Sequence, residues 1–332
     1  MLQNKILSYL RGKKNLLAFS GGADSTALFH LLIKHKISFD IATVNYGLRE
    51  QSKQEVTYAK ELAQEHNILS YVLDAPKIEQ NFESKAREIR YEFFSNLCTS
   101  YSYENLLTAH HLGDRFEWML MQFCKGAGCA ELSGMQSIQE RGYYTLIRPL
   151  LHLDKQELIK YLNEINALYF EDESNSDEDI KRNYFRHNHA TPLLKKYLEG
   201  IKKSFTYLDE DRDTLIEEAD IKKIDLFAYF KRLQTQRSNI FTIDKYLKSQ
   251  LYMLSANERE LLREKDTLVV GRKFVINQSK EFVFIAPYIT RVVMSSEFKE
   301  ECRVLKIEPK LRNYLYENQE AFLKIKALLS SV

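Results

Sequence analysis

Ser20-Gly21-Gly22-Ala23-Asp24-Ser25 packs two glycines, two hydroxyls and one acid into six residues, a composition suited to gripping a phosphate. Glycine permits a left-handed turn and lets backbone N–H groups approach an anion that a Cβ would hold off. The apolar run Asn15-Leu16-Leu17-Ala18-Phe19 before the hexapeptide reads as a buried strand, and Ala27, Leu28, Leu31 and Leu32 after it recur at helical spacing. Strand, glycine turn and helix N-terminus together form a setting in which amides bind phosphate. The pattern Gly-x-x-x-x-Gly-Lys-Ser/Thr does not occur in the chain, so no lysine is supplied for β and γ phosphates and pyrophosphate chemistry fits better.

A second group of chemically able residues is Thr108-Ala109-His110-His111-Leu112-Gly113-Asp114-Arg115-Phe116-Glu117, joined by Asn45 to Glu50 with Arg49, and by Glu83, Arg87, Arg90 and Tyr91. Asp24, Asp114 and Glu117 are acids for Mg²⁺, which takes one or two carboxylates plus phosphate oxygens, while His110, His111 and Arg49 are cations for a polyphosphate. Zinc is the weaker reading, because adjacent histidines point apart and no cysteine is spaced to help.

These residues need elements to bring them together. Apolar runs at Phe39 to Val44, Ser70 to Leu73 and Asn105 to Ala109 alternate with helical patterns at Glu50 to His66 and Phe82 to Tyr101. Such β-α-β repetition predicts a Rossmann-like parallel sheet with helices on both faces, in which right-handed crossovers place every strand's carboxyl end on one edge. Ligands bind there, and the candidate residues all follow strands or open helices.

The 332 residues are 44% apolar and 28% charged, ordinary values for a globular chain. No membrane span or signal peptide is legible, and Cys98, Cys124, Cys129 and Cys302 match neither a zinc knuckle nor a redox pair, so a reducing cytoplasm is the expected location. The net charge of +2 hides segregation: acids from Glu171 to Asp179 precede Lys181, Arg182, Arg186, His187, His189, Lys195 and Lys196.

Ser-Gly-Gly-x-Asp-Ser resembles the pyrophosphate loop of N-type ATP pyrophosphatases. From about Asn15 to Leu194 the chain is similar to the tRNA(Ile)-lysidine synthetases of that superfamily. Their further blocks are matched by Gly47-Leu48-Arg49, by Glu83 through Tyr91, by His110 through Trp118, and by Lys125-Gly126-Ala127-Gly128 through Leu132, Gly134 and Met135. Arg148 to Leu151, Asp172 to Asn175, and Arg182, Asn183 and Arg186 match the rest. The chain departs from the pattern at Gly113, where the family usually has the first of two acids, and at Tyr46, Lys125, Glu131 and Trp118, which replace a histidine, an arginine, a glycine and a threonine.

The resemblance implies a ligase that adenylates the C2 oxygen of the wobble cytidine in the CAU anticodon of tRNA-Ile and lets free L-lysine displace AMP. Implied cofactors are ATP and Mg²⁺. Ser20, Gly21, Gly22, Ala23, Asp24 and Ser25, with Arg49 and His111, would hold the nucleotide; Asp24, Asp114, His110 and Arg182 would carry catalysis, Asp24 and Asp114 also being the metal candidates. Glu117, Arg87, Arg90, Lys125, Asn183 and Arg186 would face substrate or tRNA. A homodimer is admissible, the oligomeric state being open. Gly113 keeps alive a tRNA- and nucleotide-binding protein of impaired turnover. A tRNA thiolase of the same superfamily is disfavoured because Cys124 and Cys129 do not resemble its cysteines.

The expected division is a catalytic domain over 1–195 and a tRNA-binding region over 196–332, mainly helical with a small β part. Helical patterns lie at Phe205 to Ala219 and Asp225 to Leu233, then Thr267 to Ile276 and Glu281 to Ile285 read as a hairpin across Asn277-Gln278-Ser279-Lys280. Lys265, Arg272, Lys273, Lys280, Arg291 and Arg303 beside it suggest a tRNA clamp.

Overall fold

Paired aliphatics along short strands set the architecture. The computed structural model describes residues 1–47, 51–171 and 180–330. Leu16 and Leu17 on β1 (Asn15–Ala18), Ala42 and Ile41 on β2 (Asp40–Asn45), Leu106 and Leu107 on β4 (Asn105–Leu107), and Leu146 and Ile147 on β6 (Thr145–Ile147) point alternately to opposite faces. Both faces are therefore buried, as a parallel sheet requires. Leu17, Ile41, Leu107 and Ile147 join the core that holds α1 (Asn4–Leu10), α2 (Ala23–Lys34), α3 (Gln51–Glu65) and α7 (Lys155–Glu164). Leu16, Ala42, Leu106 and Leu146 meet Phe94, Leu97 and Cys98 of α4 (Phe82–Tyr101) on the other face.

Among the described residues the sheet has six strands, ordered β3-β2-β1-β4-β6-β5, with β3 at Ser70–Asp74 and β5 at Ile138–Glu140. All neighbours are parallel except β5 with β6. The strand order reverses between β1 and β4, which makes their carboxyl ends the switch point where such sheets bind ligands. The hexapeptide follows β1, and Thr108 to His111 follow β4.

Beyond the sheet come α5 (Leu112–Phe123), α6 (Cys129–Ser133), α8 (Lys181–Phe185), a π-helical turn at Arg186–Ala190, and α9 (Thr191–Leu215), which leaves helical geometry at Tyr197. Leu112 and Phe116 of α5 pack on Ala190, Leu194 and Phe205.

The chain divides into compact units over Met1–Arg212 and Asp213–Val332, inside α9 and later than the expected 195/196. The second unit holds a five-stranded sheet, β7-β8-β11-β10-β9, between two helical layers. Its strands are β7 (Lys222–Ile224), β8 (Phe227–Lys231), β9 (Thr267–Val270), β10 (Phe274–Gln278) and β11 (Phe282–Pro287). On one face lie α12 (Ser296–Val304), α13 (Pro309–Glu317) and α14 (Gln319–Ser330); on the other lie α10 (Gln236–Ser249) and α11 (Ala256–Glu264).

Two expectations are corrected here. Asp225 to Leu233 is not helical: Phe227 and Tyr229 face one core while Ala228 and Phe230 face the other, so an all-apolar run that mimics a buried helix is a doubly covered strand. The run from Thr267 to Ile276 is also not one strand. It turns at Gly271 and becomes the β9–β10 hairpin, and β10 then pairs with β11 as expected.

Candidate active site at the carboxyl edge of the sheet

The hexapeptide forms the turn between β1 and α2. Gly21 has φ +76°, and Gly22 is the N-cap of α2 with no side chain to satisfy the helix's first amides. The N–H groups of Ala23, Asp24 and Ser25, in the first turn, lack an i−4 carbonyl by construction and are left for an anion. Internal bonds fix the turn's shape: Ser25 Oγ donates to the Gly22 carbonyl (3.1 Å), lies 3.1 Å from Ser20 Oγ, and accepts from the Ser20 amide (3.3 Å). Phe170 N donates to the Gly21 carbonyl (3.0 Å) and bridges Gly22 in parallel fashion. A Cβ on Gly21 would meet Phe170 only at ordinary contact distance, 3.4 Å, so it is the left-handed φ of the turn that calls for glycine here.

Across the switch point, His111 is the N-cap of α5. Its Nδ1 accepts the Gly113 N–H (3.0 Å) and the Asp114 carboxylate accepts the His111 N–H (2.9 Å), a reciprocal capping box. With Nδ1 accepting, a neutral ring carries its proton on Nε2, which lies 3.8 Å from Asp24 and 3.6 Å from Asp114. Gly113 is what allows this seat: a Cβ there would lie 2.6 Å from His111 Cε1. An acid at position 113 and this imidazole position exclude one another.

Asp114 and Glu117, three apart on α5, face Arg182 and Arg186, four apart on α8 and the following turn. Arg182 Nη2 donates to Asp114 (2.5 Å) and its Nε to Glu117 (2.9 Å), while Arg186 Nε donates to the other Glu117 oxygen (2.6 Å). Burial raises the Asp114 carboxyl, but the imidazole of His111 and Arg182 outweigh it and hold the group well below the usual carboxylate range. Arg182 is raised, Asp114 and Glu117 overcoming the effect of burial. His110 packs its Nδ1 2.9 Å from Thr108 Oγ1. Burial, with Arg148, Arg182 and Arg87 adding to it against Asp114, lowers this imidazole to about 3 and keeps it neutral.

Asp24, Asp114, His111, Glu117, Arg182 and Arg186 thus form one connected cluster beside the turn. Glu117 is almost fully buried and engaged by both arginines, so it organises the cluster from within. Asn183 is buried, and Arg87 and Arg90 are exposed on α4. Lys125 is exposed beyond the end of α5, eleven residues or about 16 Å of helix rise from Asp114. Arg49 and the block Asp172 to Asn175 lie outside the described residues. Tyr46, in the family's histidine position, donates to the Ala86 carbonyl (2.8 Å) and ties the β2 loop to α4. Sequence reasoning missed Phe170, which no local pattern marks, and gave no role to Arg115 within its run, where it binds the Ser133 carbonyl (2.7 Å) and Asp209 (2.6 Å) and fastens α5 to α6 and α9.

Asp24 stands inside an anion cradle, and its Oδ1 is buried with no hydrogen-bond partner. That oxygen suits a hard cation; a carboxylate among phosphates otherwise repels them. No group of three or more metal-ligating side chains occurs among the described residues, which is compatible with Mg²⁺ and its preference for water and phosphate oxygens.

A PP-loop domain description matches residues 2–193. The tRNA(Ile)-lysidine synthase of Campylobacter jejuni is 42% identical over 318 residues, spanning 96% of this chain and 97% of that protein. That of Wolinella succinogenes is 44% identical over 308 residues, spanning 92% and 94%. Among solved structures, the U34-tRNA thiolase NcsA from Methanococcus maripaludis with its 4Fe-4S cluster aligns with a TM-score of 0.54 at 18% identity, covering 68% of this chain and 80% of that one, a likeness of fold alone.

Proposed function

Since the chain belongs to the tRNA(Ile)-lysidine synthase family of PP-loop ligases, we propose that it joins free L-lysine to C2 of the wobble cytidine in tRNA-Ile with a CAU anticodon, splitting ATP into AMP and pyrophosphate and changing the codon read from AUG to AUA. The observation that carries this reading is the open amide turn of Gly21 to Ser25 lying beside the Asp24–His111–Asp114 cluster at the switch point. The turn's amides and the Ser20 and Ser25 hydroxyls take the departing pyrophosphate, where fixed N–H dipoles need no reorganisation as charge develops. Asp24, with its unpartnered Oδ1, would hold Mg²⁺, which when bound would offset the charge that builds between the α and β phosphates.

Arg182 faces the α-phosphoryl group, its planar fork suited to a phosphate's paired oxygens, and Asp114 fixes its direction. Asp114 keeps one lone pair per oxygen beyond its bonds to Arg182 and the His111 amide, enough to draw the lysine ammonium toward C2. His110, kept neutral chiefly by burial with the arginines adding to it, would accept a proton somewhat more readily once anionic phosphates offset those cations. Incubating the protein with the CAU-anticodon tRNA, ATP and labelled lysine tests the proposal. Lysine-dependent label in the tRNA supports it, whereas tRNA binding with no label leaves only a binding protein.

A further inference from the structure

We propose that Arg148, at the carboxyl end of β6, and Arg141, which reaches the shared Gln139 from the amino end of that strand, form with Arg87 a second anion site on the β5–β6 margin of the sheet, which binds a backbone phosphate of the RNA substrate. Residues alternate across β5 and just past it, so Gln139 and Arg141 share one face and Glu140 takes the other. There the Glu140 carboxylate accepts from Thr145 Oγ1 (3.2 Å) and from the Tyr9 hydroxyl (3.4 Å). On the opposite face, Arg148 Nη2 and Arg141 Nη2 both donate to the single Gln139 Oε1, each at 3.3 Å. Arg148 Nη1 donates to the Gln136 carbonyl (2.8 Å). The Nε atoms of both arginines are buried with no acceptor.

Arg148 is only 5% exposed, and two other guanidinium groups, Arg141 and Arg87, act against its charge. Burial lowers it to about 10; Tyr91 opposes this, and Arg141 and Arg87 each add a smaller push downward. No carboxylate is among the groups acting on it. Arg182, Arg186 and Arg115, by contrast, each reach an acid. A buried guanidinium and a partly exposed one sharing one neutral amide oxygen cost stability, and a bound anion removes that cost.

Arg141 is partly exposed and Arg87 is exposed, its guanidinium 4.8 Å over the Tyr91 ring, so an anion reaches the pair from solvent with Arg148 beneath. The turn after β1, where the nucleotide's own phosphates would sit, is two strands across from Arg148, or about 10 Å, and farther from Arg141, which enters from the other end of β6. That separation favours a polynucleotide phosphate near the reacting base. The RNA part of this assignment rests on the function proposed above.

The test is binding of a tRNA-Ile transcript across a salt series, with ATP binding and thermal melting measured in parallel. Arg141→Gln should weaken tRNA about tenfold and reduce the slope of log affinity against log salt by about one, as loss of one phosphate contact does. ATP affinity should hold and the melting temperature should stay level or rise, because a like charge has gone. Arg141→Lys should keep the slope, and Arg148→Gln, if it folds, should behave as Arg141→Gln does. An unchanged slope in Arg141→Gln, with or without a lower melting temperature, overturns the site, and so does weakened ATP with intact tRNA binding. Wild-type protein that binds no tRNA sinks the functional reading as well, whereas wild-type binding with an unaffected variant sinks this site alone.

Discussion

Gly113 decides how the acids of the site are held. Its missing side chain leaves room for the His111 ring, which caps α5 and stands between Asp24 and Asp114. Gly113→Ala must push the imidazole out of that seat, and displacements near 1 Å at a reacting centre cost on the order of a hundredfold. Steady-state kinetics should therefore show kcat falling by roughly this factor, with melting little changed; full activity would mean the ring position is incidental. Asp24→Ala should abolish AMP release without lowering the melting temperature, because its Oδ1 has no partner to lose. Titration follows from the same residues. His110 is neutral in the fold and lowered to about 3, so the unfolded chain binds the extra proton first and stability falls as pH drops below about 6.5. Asp114, held below its ordinary range, adds a further loss below about pH 4. Urea midpoints against pH should show both phases, and His110→Asn should shrink the first, to which His30, His35 and His152 also contribute, more than the second. The hexapeptide turn and the placement of the two histidines were legible because they depend on residues adjacent in the chain, directly after β1 and β4. The counter-ion-free arginines were not, since the Arg141–Gln139–Arg148 contact exists only once β5 pairs with β6.

At the scale of elements, α5 is the hub. Its first turn carries the His111 cap, its outer face meets Arg182 and Arg186 through Glu117, and its Arg115 reaches α6 and α9. Glu117 is buried between two guanidinium groups, so Glu117→Gln leaves both underpaired and should cost about 3 kcal/mol in urea unfolding. A variant as stable as wild type would show that α8 is held by other contacts. The strands and helices of the first sheet were readable because aliphatic pairs and helical spacing repeat there without competition. Phe227 to Phe230 was misread because a strand covered on both faces has no period-2 signature. The Gly271 turn was missed although Arg272 and Lys273 mark it, because the apolar run resumes directly at Phe274 and reads as a continuation of Thr267 to Val270.

At the scale of the whole molecule, the basic residues of the second unit sit at opposite ends of its sheet. Lys265 lies by Gln278 and hence near Lys280, while Arg272 and Lys273 occupy the turn at the other end of β10, about 17 Å away. Arg303 is engaged by Glu300 at 2.6 Å and is a poorer candidate for RNA. If these ends grip tRNA, reversing Lys265 and Lys280, or Arg272 and Lys273, should lower tRNA affinity at least about tenfold in a salt-dependent way and leave ATP affinity intact. Equal affinity in both double variants would remove the second unit's sheet from the interface.

The most direct measurement follows the fate of each ATP phosphate when the protein turns over tRNA-Ile and lysine. With label at the α or the γ position, AMP and pyrophosphate should appear in equal amounts, matched to lysine incorporated, and neither should form with Asp24→Ala. Release of ADP and orthophosphate, or AMP formation that persists in Asp24→Ala, would contradict the role assigned to the Ser20 to Ser25 turn.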